Sequence, residues 1–205
     1  MTPDLFVYWL FFSKLPARKG CRINRRKAKN IMIDHNNIIL KVATIDNAVE
    51  IYSLMQEVYN RLENKSLYVC DNLEFVKAHI AKEGFIVIAC HKGNKIVGSF
   101  LFRYPDMQAD NLGRDIGLDD EKLKKVVHME SVAVLPEYRG NALQSEMLRY
   151  GEKLIDQNRY QYFLATVSLD NAASYTTFQK NGYKLIKVKE KYGGLQRGIL
   201  LKVTH

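Results

Sequence analysis

The 205-residue sequence contains little proline, little glycine and no long apolar run. Four prolines and twelve glycines are too few for a collagen-like repeat and argue against widespread disorder. An unbroken apolar run at residues 5–12 is far shorter than the ~20 residues that a membrane-spanning helix needs. We therefore expect a globular protein with no membrane partner.

The sequence contains three cysteines, Cys21, Cys70 and Cys90. They form no CxxC pair and no cluster of ligand spacing with the five histidines, so we expect no metal site. An odd number of cysteines without a disulfide framework is typical of reduced thiols, and we expect a cytoplasmic protein. Cys90 ends an apolar run, which favours a place in the core.

The net charge of +9 is concentrated at one end. Residues 1–37 hold eight basic and two acidic residues, a net +6, and residues 38–205 hold 23 and 20, a net +3. A secretory signal would place its positive charge before the apolar run, whereas here Asp4 precedes the run and the basic residues follow it. Residues 1–37 are therefore a membrane-surface or partner-binding tail, a nucleic-acid arm, or sequence upstream of a start at Met32. We favour the last, with residues 1–37 an upstream extension or disordered, and residues 38–205 as one domain.

The apolar pattern from residue 38 onward predicts a mixed α/β fold. Apolar runs predict seven strands, at residues 38–42, 85–89, 96–102, 126–134, 162–167, 183–189 and 198–203. Helical spacing predicts helices at residues 48–62, 73–81, 141–156 and 171–180, and a short helix or loop ends at residues 122–125. Hairpins beside strand–helix–strand units predict a central mixed sheet with helices on both faces.

The segment 130–144, ESVAVLPEYRGNALQ, carries the clearest chemical signal. A strand ends at Pro136, and a short loop then opens a helix. Free backbone N–H groups at a helix start favour an anion, Gly140 allows close backbone approach, and Arg139 adds positive charge. The segment is neither a P-loop nor a GxGxxG turn, and an ordinary strand–loop–helix joint is the alternative to a phosphate site.

This segment resembles the acyl-coenzyme A loop of the GNAT acetyltransferase superfamily, written Arg/Gln-x-x-Gly-x-Gly/Ala. Ala142 and Gln144 stand at its small-residue positions, and Gln144 is the larger departure. The resemblance implies that backbone N–H groups from Asn141 to Gln144 hold the pyrophosphate and that the end of the preceding strand faces the pantetheine arm. The implied contacts here are Val132, Ala133, Val134, Arg139, Gly140, Asn141, Ala142, Leu143 and Gln144.

A second segment, residues 165–183, resembles the family's later strand–helix motif. That motif has an Asn, a small residue three positions later, an aromatic residue, a Lys, and then Gly-Phe/Tyr. By this resemblance Asn171 approaches the coenzyme's amide groups and Ser174 lines its path, although Asn171 is also an ordinary helix N-cap. The resemblance extends over residues 38–205 and implies a GNAT-like fold.

The implied activity is direct transfer of an acetyl group from acetyl-CoA, the co-substrate, to a primary amine of a small molecule or protein. Glu130 is the candidate base, or it binds substrate or pairs with a cation, and His128 is a weaker candidate base. Phe178 stands where the family often has a Tyr, so Tyr175, one turn earlier, is the candidate proton donor. The alternatives are that Tyr175 only packs and that Ser174 or solvent protonates the leaving thiolate. Simple alternation places His128, Glu130 and Val132 on one face of their strand, unless a bulge intervenes.

The acyl acceptor cannot be read from the sequence. Six acids between two central strands could attract a cationic amine, but a solvated loop explains them better: Asp106, Asp110, Asp115, Asp119, Asp120 and Glu121. The alternatives to an enzyme are a non-catalytic acyl-CoA-binding regulatory module and a nucleic-acid-binding protein that uses residues 1–37. We expect no nucleic-acid partner, and a homodimer is left open.

Overall fold

The computed structural model describes residues 37–92 and 94–204. Residues 1–36 lie outside the described residues, and with them the proposed start at Met32, Cys21 and nearly all of the predicted extension at residues 1–37. The predicted domain from residue 38 lies almost entirely within them. It forms a seven-stranded sheet with six α-helices, which confirms the predicted mixed α/β class.

The sheet has the strand order β1-β2-β3-β4-β5-β7-β6. Its strands are β1 (Ile38–Val42), β2 (Gly84–His91), β3 (Lys95–Arg103), β4 (Val126–Val134), β5 (Tyr162–Val167), β6 (Lys184–Lys191) and β7 (Leu195–Val203). All neighbouring strands are antiparallel except β4 and β5, which are parallel. The sheet is therefore mixed, as the sequence predicts.

The helices agree with the predicted order and differ mainly at their ends. They are α1 (Ala48–Asn60), α2 (Leu73–Ala78), α3 (Leu112–Asp115), α4 (Asp120–Leu123), α5 (Leu143–Leu154) and α6 (Ala172–Lys180). The predicted helix at residues 73–81 ends early and continues as a π-helical turn, His79–Glu83. The predicted helix at residues 141–156 begins two residues late, because Ala142 has a left-handed backbone.

Helices cover both faces of the sheet. Helices α5 and α6 lie on the face that carries two buried rings of β3, Phe100 and Phe102. The Phe100 ring meets the Phe178 ring of α6 edge to face at 6.3 Å, and a Cβ added to Gly151 of α5 would lie 2.1 Å from Phe102. Helix α1 packs on β3 and β4 from the other face and contacts α2.

The parallel strands β4 and β5 separate partway along their length. They pair from Val126 opposite Tyr162 as far as Met129 opposite Ala165, and beyond this point they no longer pair. The five remaining residues of β4 therefore have an unpaired backbone edge toward β5. This opening lies directly before the loop that leads into α5.

A β-bulge in β4 lies at the start of this opening. Phe102 pairs with Met129 and Phe100 pairs with Val132, so Glu130 and Ser131 together lie opposite one residue of β3. The expectation from simple alternation is therefore wrong. Because cross-strand partners share a face, Val132 faces the same side as Met129, and Ala133 faces the same side as His128.

No helix in the described ranges is both long enough and apolar enough to cross a membrane. Cys90 is buried in the core, as predicted, and Cys70 is half-buried.

Candidate active site

The loop between β4 and α5 is held open by its backbone conformation. A 3-10 turn, Pro136–Tyr138, ends β4, and Gly140 then has φ = +81°. A Cβ at Gly140 would meet no atom within 4 Å, so the space beside this backbone is open. The Asn141 side chain donates to the carbonyl oxygens of Tyr138 and Arg139, at 3.2 and 3.1 Å, and fixes the loop from inside.

The start of α5 exposes backbone donors. Ala142, at the N-cap position, has φ = +57°, and no side chain caps the helix. The first N–H groups of a helix have no acceptor within the helix, and the helix dipole adds positive character there. The geometry therefore fits the pyrophosphate site that the family resemblance implies for Asn141, Ala142, Leu143 and Gln144.

Arg139 and Gln144 direct their side chains to neighbouring segments. Arg139 Nε donates to the Val134 carbonyl oxygen at 3.1 Å, so this exposed guanidinium lies back over the end of β4. Gln144 Nε2 donates to Ser174 Oγ at 3.0 Å and links α5 to α6. Gln144, which is larger than the residue that the family usually has at this position, thus points from α5 toward α6.

The start of α6 carries the second motif. Asn171 Oδ1 accepts from the Ser174 N–H at 3.1 Å, so Asn171 is the N-cap of α6. Ser174 is buried, with its hydroxyl accepting from Gln144. The Asn171 amide nitrogen is left to contact a ligand, which keeps the predicted coenzyme role open.

The two aromatic residues of α6, Tyr175 and Phe178, are buried to different degrees. Phe178 is buried and meets the Tyr183 ring at 5.0 Å, so it is part of the core. Tyr175 is half-buried and packs against that core. Its role as proton donor stays a prediction.

His128 and Glu130 lie side by side at the bulge. The Leu112 N–H donates to His128 Nε2 at 3.0 Å, so Nε2 is an acceptor, and His128 Nδ1 carries the proton that it donates to Glu130 Oε2 at 3.1 Å. His128 is buried and both of its nitrogens are occupied. It is therefore poorly placed to act as a base.

Glu130 is surrounded by a hydrogen-bond donor and a positive charge. Burial raises the pKa of its carboxyl group, but the hydrogen bond from His128 and the positive charge of Arg103 outweigh burial and hold the pKa below its usual range. Arg103 Nη1 lies 3.5 Å from Glu130 Oε1. Of the three roles that the sequence left open for Glu130, namely base, substrate contact and partner of a cation, the last is present here, with Arg103 as the cation.

Arg103 is a functional neighbour that the sequence does not reveal. It lies at the end of β3, is 4% exposed, and donates from Nη2 to Gln108 at 2.6 Å and to Asp110 at 2.5 Å. Through these bonds it fixes the polypeptide that follows β3 against Glu130. Its signal in the sequence is weak, because an Arg at a strand end is common on protein surfaces.

Two further groups reach the bulge from the connection between α1 and α2. The hydroxyl of Tyr68 forms a 2.9 Å hydrogen bond with Ser131 Oγ. Asp71, on the same connection, is close enough to Glu130 for the two carboxyl groups to influence each other electrostatically. Burial, followed by the charge of Glu130, raises the pKa of Asp71 to about 7. Neither residue belongs to a recognisable motif, so sequence reasoning missed both.

Tyr192 approaches the same place from the β6–β7 turn. Its hydroxyl forms a 2.9 Å hydrogen bond with Thr166 Oγ1, on β5 just beyond the last pair with β4. Its backbone has φ = +53°, a strained conformation for a residue with a side chain. Burial, and then the charge of Glu130, raises the pKa of Tyr192 to about 12. A small cavity of about 50 Å³ lies between Glu130, Thr166 and Tyr192.

The acidic run between β3 and β4 has mostly internal partners. Asp110 pairs with Arg103, Asp115 pairs with Lys189 and Lys191 of β6, and Asp119 caps α4. Asp106, Asp119, Asp120 and Glu121 are exposed, as the solvated-loop interpretation expects, and of the six acids only Asp110 borders the cavity at Glu130. Among residues 37–92 and 94–204, no group of three or more His, Cys, Asp or Glu side chains is placed to hold a metal ion.

Comparisons with known proteins agree with this geometry. The acetyltransferase (GNAT) family model matches residues 48–183, which is more than half of the chain. A search of curated protein sequences returns no significant match.

Similar solved structures share the fold. A GNAT-family acetyltransferase from Streptococcus pneumoniae has 16% identity and a TM-score of 0.63, with 82% of this chain and 99% of that chain covered. A GCN5-related N-acetyltransferase from Kribbella flavida has 14% identity and a TM-score of 0.64, with 83% and 100% covered. The protein yncA from Salmonella typhimurium, solved with its cofactor acetyl-CoA, has 14% identity and a TM-score of 0.60, with 82% and 94% covered.

The open strand pair, the bulge and the uncapped helix start thus belong to an acyl-transferring enzyme. The chain is a member of the acetyltransferase (GNAT) family.

Proposed function

We propose that this protein is an N-acetyltransferase that transfers the acetyl group of acetyl-CoA directly to a primary amine. The observation that carries the proposal is the open loop at residues 139–142, where two left-handed backbone conformations leave the start of α5 uncapped beside the unpaired edge of β4. Bound acetyl-CoA in yncA supports the choice of co-substrate, since that protein has the same fold.

The coenzyme would lie along the groove between β4 and α6. The first N–H groups of α5, with Arg139 and Gly140 beside them, would hold the pyrophosphate. The unpaired edge at Val132, Ala133 and Val134 would offer backbone groups to the pantetheine arm. Asn171 and Ser174 would flank that arm from α6.

The acetyl group would then lie near the bulge. A backbone N–H of the Glu130–Val134 stretch would stabilise the negative charge that develops on the thioester oxygen. Glu130 would attract the amine, and Tyr175 would donate a proton to the leaving thiolate. The bond that forms is N–C and the bond that breaks is C–S.

Calorimetric titration with acetyl-CoA tests the coenzyme site. Gly140→Ala and Gly117→Ala form a matched pair, because both glycines have φ near +80° and a Cβ at either would meet no atom within 4 Å. Both substitutions cost about 1 kcal/mol of backbone strain. Only Gly140→Ala should weaken acetyl-CoA binding, by roughly tenfold. Absence of binding to the unaltered protein would overturn the proposal.

A thiol assay with an amine panel then separates an enzyme from a binding module. We expect free CoA to appear only when acetyl-CoA and an accepted amine are both present. Tight acetyl-CoA binding without CoA release from any amine would favour the non-catalytic alternative.

A further inference from the structure

The cavity at Glu130 is lined by charged side chains of opposite sign. Its lining includes the carboxylates of Asp110 and Glu130 and the ammonium group of Lys191. Glu130 belongs to β4 and Lys191 ends β6, and the strands β5 and β7 lie between these two in the sheet. The negative and the positive groups therefore reach the cavity from different parts of the sheet.

The carboxylates of the cavity carry more negative charge than their cationic partner balances. Arg103 Nη2 lies 2.5 Å from Asp110 Oδ1, and Arg103 Nη1 lies 3.5 Å from Glu130 Oε1. The neighbouring His128 is neutral, because its Nε2 accepts from the Leu112 N–H. One guanidinium thus pairs with two carboxylates, and an excess of one negative charge is left for a bound cation.

The lysines at the end of β6 carry the opposite excess. Lys189 and Lys191 both form ion pairs with Asp115, and Lys191 Nζ lies 2.6 Å from Asp115 Oδ2. One carboxylate thus pairs with two ammonium groups, and an excess of one positive charge is left for a bound anion. Of these two lysines, Lys191 lines the cavity and Lys189 does not.

Two hydroxyl groups add hydrogen-bond donors near Lys191. Thr166 and Tyr192 both line the cavity, and Tyr192 follows Lys191 in the chain. The 2.9 Å bond between the two hydroxyl groups uses one of their two protons, so the other can be donated to a bound oxygen. An ammonium group with a hydroxyl donor beside it is suited to a carboxylate.

The size of the cavity limits what can enter it. Its volume of about 50 Å³ has room for about four waters, at ~10–15 Å³ for each. This is about the space that the ammonium group, the α-carbon and the carboxylate of an amino acid occupy together. Tyr192 is 41% exposed, so the cavity reaches the protein surface beside this residue, and a side chain of the ligand can extend there.

We propose that the acyl acceptor is a free α-amino acid that binds in this cavity as its zwitterion. Glu130, with Asp110 beside it, holds the ammonium group. Lys191 holds the carboxylate, together with the hydroxyl groups of Thr166 and Tyr192. This inference rests on the proposed function and specifies its acceptor, because a polyamine or a lysine side chain of a protein has no carboxylate next to its amine.

The reaction balances for such an acceptor. Its ammonium nitrogen releases one proton to water and becomes nucleophilic. The nitrogen lone pair forms the N–C bond with the acetyl carbonyl carbon, the C–S bond breaks, and its electron pair leaves on sulfur. The nitrogen then loses a further proton and the thiolate gains one, so one proton is released per acetyl group transferred. The product keeps its carboxylate but has lost its cation, so Glu130 no longer attracts it.

A thiol assay with matched acceptors tests the substrate class. Glycine, L-alanine and L-leucine are each compared with their amides, which keep the amine and replace the carboxylate by a neutral group. We expect kcat/KM for the acids to exceed that for the amides roughly 30-fold, as the loss of a charge-assisted hydrogen bond predicts. Equal or faster turnover of the amides, of spermidine or of a lysine peptide would overturn the proposal.

Lys191 and Lys189 provide matched variants. Both lysines pair with Asp115, so a purely structural role predicts the same effect from Lys191→Gln and Lys189→Gln. We expect Lys191→Gln to raise the KM for the amino acid roughly 30-fold with a much smaller effect on the amide, and Lys191→Arg to restore part of the preference. Lys189→Gln should keep the preference of the unaltered protein. Equal effects of the two Gln variants, or equal losses with acid and amide, would contradict the proposal.

A binding measurement that needs no acetyl transfer separates the two levels of inference. The NMR signals of L-leucine and L-leucinamide are compared in one mixture with the protein. Broadening of the leucine signals alone, lost in Lys191→Gln and kept in Lys189→Gln, supports the zwitterion site, and identical behaviour of the two compounds overturns it. If the protein neither binds acetyl-CoA nor releases CoA with any amine, the proposed function fails whatever the NMR result. If CoA is released but amino acids are not preferred, the proposed function stands and the zwitterion is wrong.

Discussion

His128 donates a hydrogen bond from Nδ1 to Glu130 Oε2 over 3.1 Å, while its Nε2 accepts from the Leu112 N–H. The backbone donor thus fixes the neutral tautomer of the imidazole that supports an ionised carboxylate. Glu130 consequently keeps its negative charge in the pH range in which amines are protonated. This pairing favours contact with a cation over proton acceptance as the role of Glu130.

The first prediction concerns Glu130→Gln. The amide keeps the shape of the side chain but removes its charge, so the KM for the amine should rise about 10- to 100-fold, which corresponds to the ~1.5–3 kcal/mol of a charge-assisted hydrogen bond. The change in kcat should be smaller than tenfold, and the KM for acetyl-CoA should not change. The exposed Glu121→Gln serves as control. A large loss of kcat with an unchanged amine KM would show that Glu130 itself accepts the proton.

The second prediction concerns Tyr175→Phe. If the phenol protonates the leaving thiolate, its loss should lower kcat about 10- to 100-fold without changing the affinity for acetyl-CoA. The matched control is Tyr162→Phe, on β5. Equal turnover of both variants would limit Tyr175 to packing and leave the thiolate to be protonated by water.

The third prediction is a pH dependence of stability that follows from Asp71. The pKa of this carboxyl is about 7 in the folded protein, above its usual value near 4. A raised folded-state pKa contributes stability that is fully present below pH 4 and is lost as the pH rises through 7. Asn resembles the neutral acid, so Asp71→Asn should be more stable than the unaltered protein by about 4 kcal/mol at pH 8, from three pKa units at ~1.4 kcal/mol each, and similar to it at pH 4.

Thermal unfolding at several pH values measures this difference. The Tm of Asp71→Asn should separate upward from that of the unaltered protein between pH 5 and pH 8. Parallel Tm curves would contradict the raised pKa.

The fourth prediction concerns the packing of α5 on β3. In an exposed helix, Gly→Ala gains about 1 kcal/mol of helix propensity. At Gly151 the added Cβ would lie 2.1 Å from Cζ of Phe102. The Phe102 ring is fully buried, so the added atom would overlap it. We expect Gly151→Ala to lower the free energy of unfolding by about 2 kcal/mol, as overpacked cores do.

Denaturant unfolding measures this loss, and a double variant identifies its cause. Phe102→Leu made together with Gly151→Ala should cost less than the sum of the two separate changes. Additive losses would show that the two residues do not interact and that the helix is destabilised for another reason.

The sequence predicts the order of strands and helices well, because each element has its own apolar period. It also predicts the loop between β4 and α5 that we propose for the coenzyme, since Arg139 and Gly140 lie within one short segment and their chemistry is local. The bulge in β4 is different. It depends on the register between β3 and β4, and the sequence of either strand alone does not determine this register.

The residues that surround Glu130 are the part that sequence reasoning missed. Tyr68, Asp71 and Tyr192 come from two distant connections that meet over β4 only after folding. Asp71 has an ordinary sequence context, and its raised pKa arises from burial and from Glu130. Predicting such a site requires knowledge of long-range contacts. Two acids of the run between β3 and β4, Asp110 and Asp115, likewise have partners elsewhere in the chain.

Because of the bulge in β4, the number of residues in this strand determines which side chains reach the site. Removing one residue between Met129 and Val132 would restore regular pairing with β3 and would leave a single residue where Glu130 and Ser131 now stand. The chain would then lose either the carboxylate that pairs with Arg103 or the hydroxyl that bonds Tyr68, whichever residue was deleted. A one-residue deletion here should therefore be more damaging than substitution of either side chain, because β4 carries two different functions at one position of the sheet.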